Sequence, residues 1–171
     1  MSEYKRKYCV VFAGPVGSSK TPIAFHLSYT FGLPIFSNDS IRSEVAEDLL
    51  NSDSKECEKR RKKRLNGILR SGMSFIYDSS ADRRWKELTE QLAKNCFRHF
   101  LISLDLSKKF LSNLLEIKGY TESLVRIDEL ILAHDRFLVE HERDINIHIT
   151  DKNFRNRLKI CTKVFSAWLD I

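Results

Sequence analysis

Apolar positions in this chain come as short blocks separated by amphipathic stretches. Residues 8–13 (YCVVFA) form an apolar run that stops at Gly14, the pattern of a strand buried on both faces. Ile23, Phe25 and Leu27 with their neighbours predict a helix that stops near Gly32. Residues 33–37 (LPIFS) read as a second strand, with Pro34 at its start, where a missing donor costs least. A helix over about 40–50, a polar stretch (NSDSKE) and a second helix through Arg70 follow, and Gly72 breaks the chain before a third strand, MSFIYD. Trp85, Leu88 and Leu92 recur at helical spacing within 82–95, and FRHFLISLDL is the longest strand-like run. Residues 107–115 read as a helix ending around Gly119. Leu124, Ile127, Ile131, His134 and Leu138 make one stripe of a long helix. INIHIT is a fifth strand, and Phe154, Leu158, Cys161, Phe165 and Trp168 line a closing helix.

Strands alternating with helices predict an α/β fold: three layers, with a five-stranded parallel sheet covered by helices on both faces. The 171 residues carry no repeat, low-complexity tract or linker, so one domain spans 1–171. In such sheets ligands sit outside the carboxyl ends of the strands, which singles out the loops after the first, second, third and fifth strands.

The first of these loops reads Gly14-Pro15-Val16-Gly17-Ser18-Ser19-Lys20-Thr21. The phosphate-loop signature is GxxxxGK[ST], and the match is complete except that Ser19 replaces the second glycine. Glycines let backbone N–H groups turn inward around phosphate oxygens, and the following helix offers its positive dipole end to an anion. Lys20 would reach the terminal phosphates of ATP and the Thr21 hydroxyl would bind Mg²⁺. An ordinary strand-to-helix turn is the alternative, but it leaves Lys20 as a cation in a first helical turn, where the dipole disfavours it. Ser19 is tolerable if it is already helical, because only positive φ demands glycine. Pro22 falls in the first turn, where its absent N–H is not missed.

After the second strand, Ser37-Asn38-Asp39-Ser40-Ile41-Arg42 fits a pattern S-x-D-x-[IL]-R, and here the chain resembles the small P-loop kinases related to polynucleotide kinase and the zeta-toxin type. LNGILRSGMSFIYDSSADRRW (65–85) resembles that group's stretch around its third strand. The resemblance implies a P-loop NTPase fold and phosphoryl transfer from ATP–Mg²⁺ to a hydroxyl acceptor. It assigns Asp39 as the base that takes the acceptor's proton and Arg42 as the residue that places the acceptor. Asp78 and Ser79 fall on the acceptor side, with Asp78 also beside the metal held by Thr21. The same residues have plainer readings: Asp39 as a helix N-cap, Arg42 as a surface ion-pair partner, Asp78 as the start of a turn. Relatives of this kind close an arginine-bearing lid over the phosphate; residues 116–123 correspond, without arginine, and Lys118 or Arg126 are the substitutes.

Composition refines this picture. Apolar residues make up 42% and charged residues 30%, as in a soluble globular chain, and no apolar run nears the roughly 18 residues of a membrane span. The basic start lacks a small-residue cleavage site and runs into the glycine loop, so it reads as a strand rather than a signal peptide. The four cysteines are scattered without CxxC or metal-ligand spacing, as expected of buried thiols in the reducing cytoplasm. The net charge of +6 favours anionic partners. Residues 59–64 (KRRKKR) offer a track for a nucleic-acid backbone or, in the plainer and preferred reading, an exposed helix partnered by Glu56 and Glu58. The three functional expectations are a phosphotransferase, a nucleotide-binding module that does not catalyse, and a nucleic-acid binder using the basic helix.

Overall fold

The computed structural model describes residues 6–170; Lys5 of the basic flank lies outside them. Five strands form one all-parallel sheet: β1 (Lys7–Ala13), β2 (Ile35–Ser37), β3 (Phe75–Ser80), β4 (Phe97–Asp105) and β5 (Ile145–Thr150), in the order β2-β3-β1-β4-β5. The helices are α1 (Lys20–Phe31), α2 (Asn38–Leu49), α3 (Ser54–Ser71), α4 (Trp85–Lys94), α5 (Lys108–Ile117), α6 (Thr121–Val125), α7 (Ile127–His141) and α8 (Arg157–Leu169). The long helix expected from the 124–138 stripe is divided at Arg126 into α6 and α7. The closing helix likewise begins with a separate 3₁₀ turn, Phe154–Asn156.

β1 is the central strand, and every residue from Cys9 to Ala13 is wholly inaccessible. Its alternation splits those side chains between two cores. Cys9, Val11 and Ala13 face one layer, with Ile41 and Val45 of α2, Leu65 and Leu69 of α3, and Trp85, Leu88 and Leu92 of α4. Val10 and Phe12 face the other, with Ile23, Ala24 and Leu27 of α1 and Cys161 and Phe165 of α8. Burying each such Leu, Ile or Phe contributes about 1.5–3 kcal/mol, so both layers are needed to hold the central strand dry. Phe25, expected among the helix-filling residues of α1, is instead exposed. Of the cysteines, Cys9 and Cys161 are buried and Cys57 partly so, but Cys96 is exposed, contrary to the expectation of four buried thiols.

A third, smaller apolar cluster joins Leu111 and Leu115 of α5 to Ile127 of α7, with Leu124 and Ile131 packed on it. It builds a cover beside the carboxyl end of β1. Between β1 and β3 the register slips, with Val11 opposite Tyr77 but Phe12 opposite Ser80. The resulting bulge at Asp78 and Ser79 re-aims side chains at the end of β3, a common use of bulges beside sites.

Candidate functional site

The loop between β1 and α1 is shaped by its glycines. Gly14 has φ 142° and Gly17 φ 80°, both forbidding to a side chain. Space forbids one too: a Cβ on Gly14 would lie 3.2 Å from the Leu104 carbonyl oxygen, and one on Gly17 would lie 2.3 Å from Leu115 Cδ2. Ser19 is left-handed as well, at φ 82° and ψ 36°. The condition for tolerating serine there is therefore not met; the position is one where the signature's glycine has a physical reason, and serine holds it under strain.

Lys20, the first residue of α1, folds back over this loop. Its ammonium donates to the carbonyls of Gly14 (2.8 Å) and Pro15 (2.6 Å) and to Ser18 Oγ (3.3 Å), which uses all three of its hydrogens. Burial pulls its pKa down to about 8, opposed by the charges of Asp82, Asp78 and Asp39 and assisted by that of Lys118. The lysine remains a cation at neutral pH, in a first helical turn with no acidic residue of its own.

Thr21 follows, and its hydroxyl donates to Asp78 Oδ1 at 3.2 Å. Burial raises the Asp78 carboxyl above its usual range; the Thr21 bond and Lys20 oppose this, while the Asp39 carboxylate adds to it. Asp39 and Arg42 lie on α2, but they face water: Arg42 Nη1 donates to Asp39 Oδ1 at 2.7 Å, with side chains 71% and 83% exposed. The N-cap of α2 is Ser37, whose Oγ accepts from the Ser40 N–H, so the reading of Asp39 as the cap does not apply. Ser79 Oγ accepts from Asn38 Nδ2 at 3.0 Å, and the Asn38 carbonyl oxygen is buried without a protein partner. A buried, unpaired acceptor beside Ser79 is a place for a donor such as a hydroxyl. Among the described residues no group of three or more metal-ligating side chains occurs, and Thr21 with Asp78 supplies two hard oxygens of the kind Mg²⁺ prefers.

Three residues not marked as site residues from the sequence, Ser80, Asp82 and His134, join this site. Asp82 Oδ1 accepts from the Gly14 N–H at 3.0 Å, and Ser80 Oγ lies 2.7 Å from the same oxygen and 2.9 Å from the Gly14 carbonyl oxygen. Asp82 Oδ2 lies 2.9 Å from His134 Nδ1. His134, a member of the apolar stripe of the long helix, is 3% exposed. Burial by itself would raise the Asp82 carboxyl, but bonds from His134, Ser80 and the Gly14 N–H outweigh it and hold it below its usual value. The one hint in the sequence was a histidine interrupting an apolar stripe, since a polar group at a core position needs a buried partner.

Over the loop, Lys118 Nζ donates to the Gly17 carbonyl at 2.7 Å. Burial and the nearby charge of Arg157 lower its pKa. Arg126, the other lid candidate, is turned away and paired with Glu129 through Nε (3.0 Å) and Nη2 (2.8 Å).

Five of the six residues of the basic run on α3 make ion pairs among the described residues, Lys63 being the exception. Arg60 meets Glu44, Asp48 and Glu56; Arg64 meets Glu44; Lys59 meets Glu56; Arg61 meets Glu58 and Glu87; Lys62 meets Glu58. Acidic residues of α2 and α4 thus join Glu56 and Glu58 as partners. This stitching of α2, α3 and α4 gives no support to a nucleic-acid track. No helix among the described residues is long and apolar enough to cross a membrane.

A five-stranded parallel sheet in this order, with a glycine loop and lysine at the end of its central strand, defines an α/β P-loop kinase-like fold. Solved structures agree. An APS kinase from Mycobacterium tuberculosis, in complex with AMPPNP and APS, superposes with a TM-score of 0.61 at 14% identity, over 94% of this chain and 98% of that one. A shikimate kinase from Acinetobacter baumannii, in complex with shikimate, gives 0.60 at 12% identity, over 98% and 96%. A structure from the PezAT toxin–antitoxin system of Streptococcus pneumoniae gives 0.60 at 14% identity, over 86% and 68%. No protein-family model and no curated protein matches the chain. At these identities the likeness is one of fold.

Proposed function

We propose that this protein is an ATP-dependent phosphotransferase that moves the terminal phosphoryl group of ATP–Mg²⁺ to a hydroxyl acceptor. The observation that carries the reading is the convergence of Lys20, Thr21 and Asp78 beside a backbone that turns at Gly14, Gly17 and Ser19. Residues 14–21 would cradle the phosphates through their amides, and the α1 dipole adds to the attraction. Lys20 would exchange its contacts with the Gly14 and Pro15 carbonyls for phosphate oxygens. Mg²⁺, held by the Thr21 hydroxyl and Asp78, would neutralise charge on those oxygens. Asp39 would turn from Arg42 to accept the acceptor's proton, and Arg42, once released, would orient the acceptor. Asn38 and Ser79 would hydrogen-bond an acceptor hydroxyl. Lys118 would supply the cation that an arginine gives in lids of this type; Arg126 is committed to Glu129 and would have to swing.

A second reading has specific support. Strain at Ser19, the Asp39–Arg42 pair and the Arg126–Glu129 pair are what a nucleotide-binding module without transfer would carry. Asp39→Asn separates the two readings. Ser37 caps α2, and the exposed pair it breaks stabilises by only about 0.3–0.5 kcal/mol, so folding and ATP affinity should persist. Turnover should fall about 10²- to 10⁴-fold, measured with ATP, Mg²⁺ and pools of nucleosides, sugars, small alcohols and oligonucleotides. Equal turnover in the variant would remove Asp39 as the base. Absence of turnover in the wild type, with ATP still bound, would favour the module.

A further inference from the structure

His134 is buried, Asp82 is nearly so with its side chain 11% exposed, and neither is used by the transfer step proposed above. With Ser103, whose Oγ lies 3.4 Å from His134 Nε2, they form a Ser–His–Asp line. It is not a hydrolytic triad. Ser103 is wholly inaccessible, and Asp82 is engaged at its other oxygen by the Gly14 N–H. A nucleophile must be reachable by substrate, so the arrangement has to serve something it touches.

What it touches is the phosphate loop. Gly14 sits between two peptide planes. Asp82 fixes the first through the Gly14 N–H, and Ser80, bonded to Asp82, lies against the carbonyl of the second. That carbonyl is one of the two that hold Lys20. A carboxylate can only accept, so His134 Nδ1 donates to Asp82 and fixes its orientation. His134 belongs to α7, which shares an apolar cluster with α5. α5 in turn presses Leu115 against Gly17, and Lys118 just beyond it bonds the Gly17 carbonyl. Both glycine ends of the loop are therefore braced by the cover, one by packing and one through a buried polar pair. Burying a carboxylate is costly unless it is paired, and apolar residues of similar volume would often be as stable. Orientation of Gly14 is what the polar pair supplies and an apolar one would not.

We infer that Asp82 and His134 are positioning residues that hold Gly14, and with it the phosphate loop, in the form that accepts a nucleotide, so that α7 of the cover sets the loop's affinity. The inference rests on the nucleotide reading for its consequence, not for its geometry. Asp82 also contributes the largest attraction that keeps Lys20 charged against its burial.

The test compares His134→Leu, which removes the donor, with His134→Asn, whose amide nitrogen can stand where Nδ1 does. A double variant, Asp82→Ala with His134→Leu, removes both partners and leaves no unpaired carboxylate, the feature that would keep the single leucine variant from folding. Two quantities are read: hydrogen exchange at the Gly14 amide in the nucleotide-free protein, and the dissociation constant for ATP with Mg²⁺. Loss of a charge-assisted hydrogen bond predicts exchange at Gly14 faster by about tenfold or more, with Val10 and Val11 of β1 unchanged, and ATP bound about tenfold more weakly. His134→Asn should recover most of both. The inference is overturned if the leucine and double variants exchange and bind like wild type, or if asparagine and leucine are equally impaired, since volume would then be the cause. A wild type that binds no ATP would sink the nucleotide reading, while exchange at Gly14 would still decide whether the pair braces the loop.

Discussion

Ser19 pays for its left-handed backbone with strain on the order of 1 kcal/mol, because its Cβ crowds the following carbonyl. Ser19→Gly should relieve that strain, partly offset by the added freedom of the unfolded chain. The expected outcome is tighter ATP binding and an unchanged or slightly higher melting temperature, read by calorimetry on both proteins. Weaker binding in the glycine variant would mean that the serine hydroxyl itself contacts the nucleotide. Lys20 is the companion case. A ligand that binds only the native state stabilises it by mass action, about 2.7 kcal/mol at a hundredfold excess over the dissociation constant. ATP–Mg²⁺ should therefore raise the melting temperature of the wild type and have little effect on Lys20→Ala. No response of the wild type at millimolar purine nucleotide would reject the phosphate-loop reading.

At the scale of elements, α3 shows how one run of residues divides by face. Arg61 is 7% exposed at its side chain and bonded to Glu58 and Glu87, whereas Lys63 lies on the exposed side. Lys63→Glu should leave ATP affinity and stability nearly unchanged. Arg61→Glu should cost on the order of 3 kcal/mol in urea denaturation, since it strands a buried charge among like charges. Glu58 gives the same network a pH signature. Hydrogen bonds from Arg61 lead Arg84 in holding its carboxyl at about 2, against burial, from an ordinary value of 4.5. A depressed carboxylate stabilises the fold above its unfolded pKa, and that contribution is lost as pH falls from about 4.5 towards 2. The stability gap between wild type and Glu58→Gln should thus be full above pH 5 and close towards pH 2. A gap that stays constant across this window would show that Glu58 acts through packing alone.

For the whole molecule, the carboxyl ends of β1 and β3 carry the proposed chemistry, with the α5–α6–α7 cover above the loop. Adding ATP–Mg²⁺ should slow amide exchange in the β1–α1 loop, at the end of β3 and around Lys118. It should leave the opposite end of the sheet, near Thr89 and Trp168, unaffected. The order of strands and helices, the two-sided burial of β1 and the turn that follows it were legible in the chain, because two-sided burial and glycine-rich turns are local properties with local spacing. INIHIT is β5 to the residue, and the signature at 14–21 needed no neighbour to be seen. The division at Arg126 was not legible, because the apolar stripe continues across it and the break follows from how α6 and α7 pack on α5. Nor was the conformation of Ser19, since a serine in the sequence does not state its φ. Asp82 and His134 stand 52 positions apart, one read from the sequence as the start of the helix over 82–95 and the other as a stripe residue. Only the folding of α7 against the end of β3 brings the imidazole to the carboxylate. A hydrogen bond depends on distances of about 3 Å, which sequence spacing does not set.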